Sequence, residues 1–254
     1  MEYRKVFDTI PEQFDAFRPR YSAELFRSLI DYVGLDESKT VLEIGPGTGQ
    51  ASGPIIETGC DYHAIELGEH LAEFMQNKFG KYPNFHLVND DFITYDFGAQ
   101  QFDLIYSAAT IQWIGEEIAY PKCFELLKPG GVLAMMLTAG EYKSTNEHLY
   151  GEIQKVYDAY FRPQTDYRQA VKPFGYTSAP AYGFSAVEKR EFYGKREMNA
   201  EQYVAYCGTH SDHITIPEPY KTKFFDGLYH AVKAAGDKIV FNDTYVLYLT
   251  QKPF

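Results

Sequence analysis

The sequence contains few cysteines, no long apolar run and fewer basic than acidic residues. Its three cysteines, Cys60, Cys123 and Cys207, are widely spaced and form no C-x-x-C motif. That usage argues against a zinc ribbon and is typical of a reducing compartment such as the cytoplasm. The longest apolar run, residues 132–137, is far shorter than the ~20 residues that a membrane helix needs. Residues 1–14 lack the apolar stretch of a secretory signal, so we expect a cytoplasmic protein without a membrane partner.

The shortage of basic residues argues against nucleic acid as a partner. The 254 residues include 24 Lys and Arg against 35 Asp and Glu, which gives a formal net charge of −11. Phosphate backbones are bound by clustered basic side chains, and this balance disfavours them. The length suits one α/β domain. The sequence makes no prediction of the oligomeric state.

Histidines that could bind a metal are also scarce in this sequence. Seven are scattered along the chain, and only His210 and His213 lie close together, in H-S-D-H. On a helix these two would share a face, but no third ligand accompanies them. We therefore predict no metal site.

The first half of the chain alternates short apolar strands with amphipathic helices. Such alternation predicts βαβ units and a parallel, doubly wound sheet. The predicted helices span residues 21–34, 54–57, 71–79 and 118–127. The predicted strands span residues 40–45, 62–66, 85–88, 102–106 and 132–137, and the Lys-Pro-Gly-Gly segment 128–131 is predicted as a turn.

The pattern changes after residue 137. Ser144 and Glu147 are spaced as a capping box before a helix, and a Pro-, Gly- and Tyr-rich loop follows at 162–184. Later predicted elements are strands at 186–198 and 239–248 and helices at 200–206 and 221–235. We expect the two late strands to pair antiparallel, which gives an α/β fold with a mostly parallel seven-stranded sheet, a C-terminal antiparallel hairpin and a helical or loop cap.

We predict one domain, 1–254, with four parts. These are an N-terminal helical segment (1–37), a cofactor-binding core (38–138), an inserted cap (139–185) and C-terminal strands and helices that complete the sheet (186–254).

A glycine-rich turn follows the first predicted strand. Gly45, Gly47 and Gly49 alternate there, and Glu66 ends the next strand 21 residues after Gly45. Glycines permit tight turning and close approach of a ligand to the backbone, and a carboxylate at the end of the second strand can accept both hydroxyls of a ribose. The dinucleotide fingerprint would need glycine where Gln50 stands. A nicotinamide-dependent oxidoreductase therefore stays an alternative, though a disfavoured one.

An ordered set of further segments carries a resemblance to a known family. Val-Leu-Glu-Ile-Gly-Pro-Gly-Thr-Gly at 41–49 resembles motif I of the class I methyltransferases that use S-adenosyl-L-methionine. The segments 88–92 (VNDDF), 102–107 (FDLIYS), 111–113 (IQW) and 127–133 (LKPGGVL) are similar to the later motifs in the same order. Together with Arg-Pro-Arg-Tyr before residue 22, they resemble the small-molecule branch, methyltransferase type 11 or trans-aconitate methyltransferase-like. The resemblance is strong over residues 38–138 and loose beyond 140.

The resemblance implies S-adenosyl-L-methionine as cofactor and a set of residues that bind it. Glu66 would bind the ribose and Asp90 the adenine amino group, and Glu43 would help to hold the methionine amino group, either directly or through water. The full implied cofactor-binding set is Tyr21, Glu43, Gly45, Gly47, Gly49, Glu66, Asp90, Asp91, Phe92 and Ser107. The alternative for the acidic residues is a solvated strand end, and for Tyr21 it is packing on the first helix. Arg20 is a candidate for the cofactor carboxylate, with a surface salt bridge as its alternative.

The resemblance implies methyl transfer to a small-molecule acceptor by in-line displacement. The predicted acceptor pocket consists of Trp113, Tyr157 and Tyr182, each of which has core packing as its alternative. No catalytic residue is assigned; candidates for a general base are His148, His210 and His213, since histidine titrates near neutrality. Aromatics make up 17% of the chain, and we expect some from the N-terminal segment and from 142–206 to form an apolar lid. A non-catalytic cofactor-binding protein remains a further alternative.

Overall fold

A seven-stranded sheet forms the centre of the molecule. The computed structural model describes residues 3–164 and 173–254, so part of the predicted loop 162–184 lies outside the described residues. The strands are β1 (Thr40–Ile44), β2 (Asp61–Glu66), β3 (Phe85–Asn89), β4 (Phe102–Ala108), β5 (Leu127–Glu141), β6 (Glu188–Met198) and β7 (Ile239–Gln251). Their spatial order is β3-β2-β1-β4-β5-β7-β6.

The first five strands are parallel, whereas β7 pairs antiparallel with both β5 and β6. This arrangement confirms the predicted sheet with its C-terminal antiparallel hairpin. Order reverses at β1, between β2 and β4. Ligands of open α/β sheets bind beyond the carboxyl ends of the strands at such a switch point.

Helices cover both faces of the sheet. They are α1 (Pro11–Phe17), α2 (Ala23–Val33), α3 (Gly53–Ile56), α4 (Glu69–Phe79), α5 (Glu116–Leu126), α6 (Glu147–Tyr160), α7 (Ala200–Cys207), α8 (Ser211–Ile214) and α9 (Tyr220–Ala234). Short 3₁₀ helices span Tyr3–Thr9, Ile111–Trp113 and Ala179–Tyr182. Within the described ranges, no helix combines the length and the apolar composition needed to cross a membrane.

Helix α2 shows how closely local sequence signals place an element. The Ser22 hydroxyl accepts a hydrogen bond from the Leu25 amide at 3.2 Å, which caps the first turn. Gly34 ends the helix in the left-handed conformation, at φ +66°. The apolar stripe between these caps buries Leu25 and Leu29 completely.

Two predicted local features differ in the structure. Helix α6 begins at Glu147 with Asn146 as its N-cap, because the Asn146 side chain accepts from the Leu149 amide, while Ser144 bonds Glu141 instead. The predicted turn at 128–131 is part of β5, because the Gly130 amide donates to the Lys252 carbonyl and holds the backbone in the sheet. The helices at 3–9 and 11–17 were not predicted.

Candidate functional site

A cleft of about 540 Å³ lies along the carboxyl ends of the parallel strands. It runs from Asp90–Phe92 after β3, past Glu66 at the end of β2 and the glycine turn after β1, to 108–110 after β4. The N-terminal segment and residues 210–212 also line it. Its volume lies in the range of small-molecule and cofactor pockets.

The glycine turn depends on backbone conformations that other residues rarely adopt. Gly45, Gly47 and Gly49 have φ values of +63°, +60° and +83°. A Cβ atom on Gly45 would collide with the side chain of Thr110, whose hydroxyl donates to the Gly45 carbonyl at 2.9 Å. The turn therefore brings the β1 backbone against the segment after β4, at the floor of the cleft.

Replacing Gly45 with alanine is expected to destabilise the protein by about 2–4 kcal/mol, because left-handed strain and a steric clash act together. Gly34→Ala is the matched control, since Gly34 has a similar φ of +66° but a methyl group there would meet no described atom within 4 Å. It is expected to cost only about 1 kcal/mol. Urea unfolding of both variants measures the difference, and equal losses would contradict a steric role for Thr110.

Glu66 lies at the switch point with its carboxylate held toward the cleft. The side chain is 6% exposed, and its two oxygens accept from the amides of Gly47 and Gly68, each at 2.9 Å. A carboxylate oxygen can accept two hydrogen bonds, so each keeps one acceptor position. Burial raises the pKa of Glu66 to about 7, against the lowering effect of the Gly68, Gly47 and Leu67 amides.

The segment after β3 contributes a second acidic group. The Asp90 carboxylate uses one oxygen, Oδ1, to accept from the Asp91 amide at 2.7 Å. The Asp91 carboxylate forms a two-pronged ion pair with Arg4, at 3.1 and 2.8 Å. Phe92 is buried against the cleft floor. Asp91 therefore fastens the N-terminal segment, while Asp90 keeps an oxygen for a ligand.

Glu43 lies beneath the glycine turn and does not line the cleft. It is fully buried, and its Oε2 accepts from the hydroxyls of Ser52 and Tyr106, each at 2.6 Å, and from that of Tyr62. Burial raises its pKa despite these three donors. Its other oxygen, Oε1, is buried without a hydrogen-bond partner among the described residues. Glu43 therefore lies just below the site, where help in holding the cofactor amino group through water stays a prediction.

Two other predicted members lie behind the cleft wall. Gly49 faces Phe79 and Met75 of α4, where a side chain would not fit. Ser107 is buried in β4, and its hydroxyl donates to the Ile44 carbonyl at 3.2 Å. Both residues tie neighbouring elements together and do not line the cleft.

Of the predicted acceptor-pocket residues, Trp113 lines the cleft and the two tyrosines do not. Tyr157 packs 4.9 Å from the Phe224 ring, and its hydroxyl lies 3.1 Å from His213 Nε2. Tyr182 stacks on Tyr120, with ring centroids 5.1 Å apart. Each tyrosine ring packs against other aromatic rings as part of the core, and neither residue lines the cleft.

The expected aromatic lid comes from the N-terminus rather than from residues 142–206. Phe7, Phe14 and Tyr21 line the cleft with Trp113, whereas no aromatic side chain in the described part of 142–206 does. The Trp113 ring packs edge-on against Phe7 at 5.8 Å. Most of the described aromatics of 142–206 instead pack in the core beneath α6, α7 and α9 and in the layer against α5, while Tyr193 is exposed.

The three candidate histidines occupy three different environments. His210 lines the cleft, and its Nδ1 lies 3.2 Å from the Cys207 carbonyl. His213 is buried behind it, with Nδ1 bonded to the same carbonyl at 2.8 Å. His148 lies in a separate groove between α6 and α9. Of the three, His210 is therefore the one placed among the cleft-lining groups.

The sequence predicted N-terminal aromatics and Tyr21 at the site, but it did not predict Arg4 and Arg18 there. Arg4, Phe7, Phe14 and Arg18 all line the cleft. Arg20, the candidate for a cofactor carboxylate, instead forms an exposed ion pair with Asp15 at 2.8 Å. The Arg-Pro-Arg-Tyr segment was a signal for this region, but it did not reveal which arginine faces inward.

Comparison with known proteins agrees with this geometry. Residues 41–131 match the family described as methyltransferase domain. An uncharacterised methyltransferase-like protein of Schizosaccharomyces pombe is 24% identical over 220 residues, covering 86% of this chain and 82% of the relative. A second uncharacterised methyltransferase of that yeast is 22% identical over 255 residues, covering 98% of this chain and 97% of the relative.

Among solved structures, the fold resembles that of Haemonchus contortus phosphoethanolamine N-methyltransferase 2 in complex with S-adenosyl-L-methionine. The TM-score is 0.57 at 16% identity, over 100% of this chain and 60% of that chain. The sheet order and the cleft define a Rossmann-like methyltransferase fold. The sequence matches place a methyltransferase domain over residues 41–131 and support a class I S-adenosylmethionine-dependent methyltransferase. Its cofactor is accordingly S-adenosyl-L-methionine.

The groups present in the cleft fit that cofactor. Glu66 offers two acceptor positions at the place of a ribose, and Asp90 offers an oxygen at the neighbouring strand end. The glycine turn between Glu66 and the segment after β4 carries no side chains at its positive-φ positions, so a ligand can approach its backbone closely. Glu43 lies just under that turn and does not line the cleft, so it could meet an ammonium group only through water.

Proposed function

We propose that this protein transfers a methyl group from S-adenosyl-L-methionine to a small-molecule acceptor by in-line displacement. The observation that carries the proposal is the carboxylate of Glu66, fixed by two backbone amides and left with an acceptor position on each oxygen. Two vicinal hydroxyls, as on a ribose, match those two positions. The chain acts as one domain in this proposal, with residues 38–138 binding the cofactor.

The order of groups along the cleft sets the orientation of the cofactor. Asp90 would accept from the adenine amino group, Glu66 from the ribose hydroxyls, and Gly45–Gly47 would border the methionine part. When bound, the cofactor supplies an activated methyl group on a sulfonium. The remaining end of the cleft, bordered by Trp113 and His210, would then hold the acceptor. Positioning of the two reactants supplies much of the rate enhancement in such a reaction.

His210 is the proposed general base for an acceptor that must lose a proton. Its Nδ1 faces the Cys207 carbonyl, which only accepts, so Nδ1 carries the hydrogen and the Nε2 lone pair is left to take a proton. Burial and the nearby Arg18 cation hold the pKa of His210 well below its usual value. The imidazole is therefore neutral at pH 7 and free to take a proton, while the depressed pKa makes it a weaker base than an unperturbed histidine. His213, by contrast, uses both ring nitrogens structurally.

A small acceptor is favoured over a macromolecule. Aromatic side chains of the N-terminal segment line the cleft, and the net charge of −11 repels polyanions. The structural relative that is named a phosphoethanolamine N-methyltransferase carries a small-molecule acceptor in its name. All three cysteines are free and buried, which supports a cytoplasmic location.

Calorimetry and a transfer assay test the proposal in sequence. Titration of the intact protein with S-adenosylhomocysteine should show binding, whereas a nicotinamide dinucleotide should not bind. Methyl-labelled cofactor is then incubated with a panel of small O-, N-, C- and S-nucleophiles. No binding of the cofactor product would refute the proposal, and binding without transfer to any acceptor would favour a non-catalytic cofactor-binding protein.

The raised pKa of Glu66 predicts how cofactor affinity depends on pH. The carboxylate must be ionised to accept two hydroxyl protons, so binding strengthens as pH rises through about 7 and is lost as pH falls. Between pH 8 and pH 6, the affinity for 5′-methylthioadenosine should fall about tenfold. This probe is chosen because it lacks the titratable amino-acid end. Calorimetry at both pH values measures the change. Glu66→Gln should abolish the pH dependence of binding. An affinity of the unmodified protein that does not change with pH would contradict the role of Glu66.

A further inference from the structure

We propose that Asp61, His63 and His86 form a binding site for a divalent transition-metal ion of the zinc class on one face of the sheet. None of the three residues lines the cleft, so the site is independent of the proposed function. The sequence predicted no metal site, because His63 and His86 lie far apart along the chain. The pairing of β2 with β3 brings them together.

The register of the sheet places the three side chains on the same face. In the parallel pairing of β2 with β3, His63 lies opposite His86, and their rings stack with centroids 4.8 Å apart. Asp61 precedes His63 by two residues in β2, and residues two apart on a strand point to the same face. The three groups lie toward the amino end of β2, whereas Glu66 lines the cleft at its carboxyl end.

The potential ligand atoms converge on the Asp61 carboxylate. Its Oδ2 lies 3.1 Å from His63 Nε2, and its Oδ1 lies 3.2 Å from His86 Nε2. The three ligand atoms, one from each residue, lie within 4.8 Å of one another. Zinc binds imidazole nitrogen and carboxylate oxygen at about 2.0–2.2 Å, so neighbouring ligands of a tetrahedral ion are roughly 3.3–3.5 Å apart. The two nitrogen-to-oxygen distances are already close to that separation.

The sheet fixes the positions of these side chains. The Asp61 amide donates to the Lys39 carbonyl at 2.8 Å, which anchors the start of β2. The His63 ring packs edge-on against the buried Phe102, with centroids 5.8 Å apart, and His86 lies in the middle of β3. Ligands on strands are held more precisely than ligands on loops, so little rearrangement is needed to close the site around an ion.

Exposure and ligand type indicate which ion would bind. The side chains of His63, His86 and Asp61 are 21%, 52% and 49% exposed, so an ion can arrive from solvent, and three protein ligands leave a fourth tetrahedral position for water. Imidazole suits zinc and other transition metals, whereas magnesium and calcium prefer oxygen ligands. The ion would link the edge strand β3 to β2 and so stabilise this side of the sheet.

A second group of potential ligands is less suitable. Cys207, His210 and His213 also place ligand atoms within 4.8 Å of one another. However, His213 Nδ1 lies 2.8 Å from the Cys207 carbonyl, and its Nε2 lies 3.1 Å from the Tyr157 hydroxyl. Burial raises the pKa of the Cys207 thiol to about 12, which disfavours the thiolate that a metal requires.

Isothermal titration calorimetry with zinc chloride at pH 7.5 tests the site, on the full chain without an affinity tag. The unmodified protein should bind one zinc ion, and excess magnesium should not compete. Loss of a group that supports a metal ligand already weakens binding about 10–100-fold. His86→Ala, which removes a ligand, and Asp61→Asn, which removes the carboxylate charge, should therefore weaken zinc binding at least about tenfold. Zinc should raise the melting temperature of the unmodified protein more than that of either variant.

Two histidine variants outside the site are the controls. His70→Ala removes an exposed imidazole that pairs with the Asp8 carboxylate at 3.1 Å, and His210→Asn removes a ligand of the second group. Both should bind zinc like the unmodified protein. Binding that is lost in His210→Asn but kept in His86→Ala would overturn the assignment in favour of the second group. No zinc binding, equal affinity in all variants or displacement by magnesium would also overturn it. Thermal melts without zinc report folding, and His86→Gln replaces the alanine variant if that one does not fold.

Discussion

Glu66→Ala is expected to lower the affinity for S-adenosylhomocysteine about 100-fold. The carboxylate supplies the two acceptors for the ribose. Charge-assisted hydrogen bonds of this kind contribute roughly 1.5–3 kcal/mol each, and the lower end, about 3 kcal/mol for the pair, corresponds to a loss of about 100-fold. The variant also frees the amides of Gly47 and Gly68 that the carboxylate now orders. Isothermal titration calorimetry at pH 8, where the carboxylate of the unmodified protein is ionised, measures the loss.

The nearby Glu69 provides a matched control for this experiment. It is exposed at the start of α4 and does not line the cleft, so Glu69→Ala removes an identical charge three residues away. Its affinity should stay within about twofold of the unmodified protein. A similar loss in both variants would indicate a general electrostatic effect, and no loss in Glu66→Ala would remove the ribose assignment.

His210→Asn is expected to reduce kcat about 100-fold with an acceptor that must lose a proton. General bases contribute about 10²–10⁴, and the depressed pKa of His210 puts it at the low end of that range. Asparagine has a similar volume and can still bond the Cys207 carbonyl, but it cannot take a proton. The cofactor affinity should not change. In the unmodified protein, titration of His210 should not change kcat between pH 6.5 and 8, because its depressed pKa keeps the imidazole neutral over that range.

His148→Asn is the control for this substitution. His148 lies in the groove between α6 and α9, outside the cleft, so kcat should stay as in the unmodified protein. Full activity of His210→Asn would show that the acceptor reacts without this base. A parallel loss of thermal stability and of cofactor binding would point to a structural role for His210 instead.

The fold was largely predictable because its signals are local. The caps of α2, the apolar period of the strands and the glycine turn each lie within a few residues, so the order of elements and the parallel core followed from the sequence. Position along the chain could also place Glu66 and Asp90 at strand ends. What those signals could not show was the direction of each side chain at the end of a strand.

Glu43 and Ile44 illustrate this limit. Successive strand residues point to opposite faces of the sheet, and in β1 this alternation puts Glu43 under the turn among three hydroxyls, while Ile44 lines the cleft. The motif indicated an acidic residue near the cofactor. The strand alternation places that residue, Glu43, beneath the glycine turn and outside the cleft. The same argument separates Ser107 from the cleft-lining residues after it.

The sequence by itself determined the class of fold, the glycine turn and the acidic residues at the ends of β2 and β3, because these depend on short-range patterns. Only the tertiary structure decided what covers them. Arg4 reaches Asp91 across 87 residues of chain, and Phe14 and Arg18 meet the glycine turn from a helix that no periodicity revealed. Such contacts depend on packing between distant segments, so neither composition nor spacing could show that the N-terminus, rather than residues 142–206, supplies the aromatic wall and the Arg18 cation of the site.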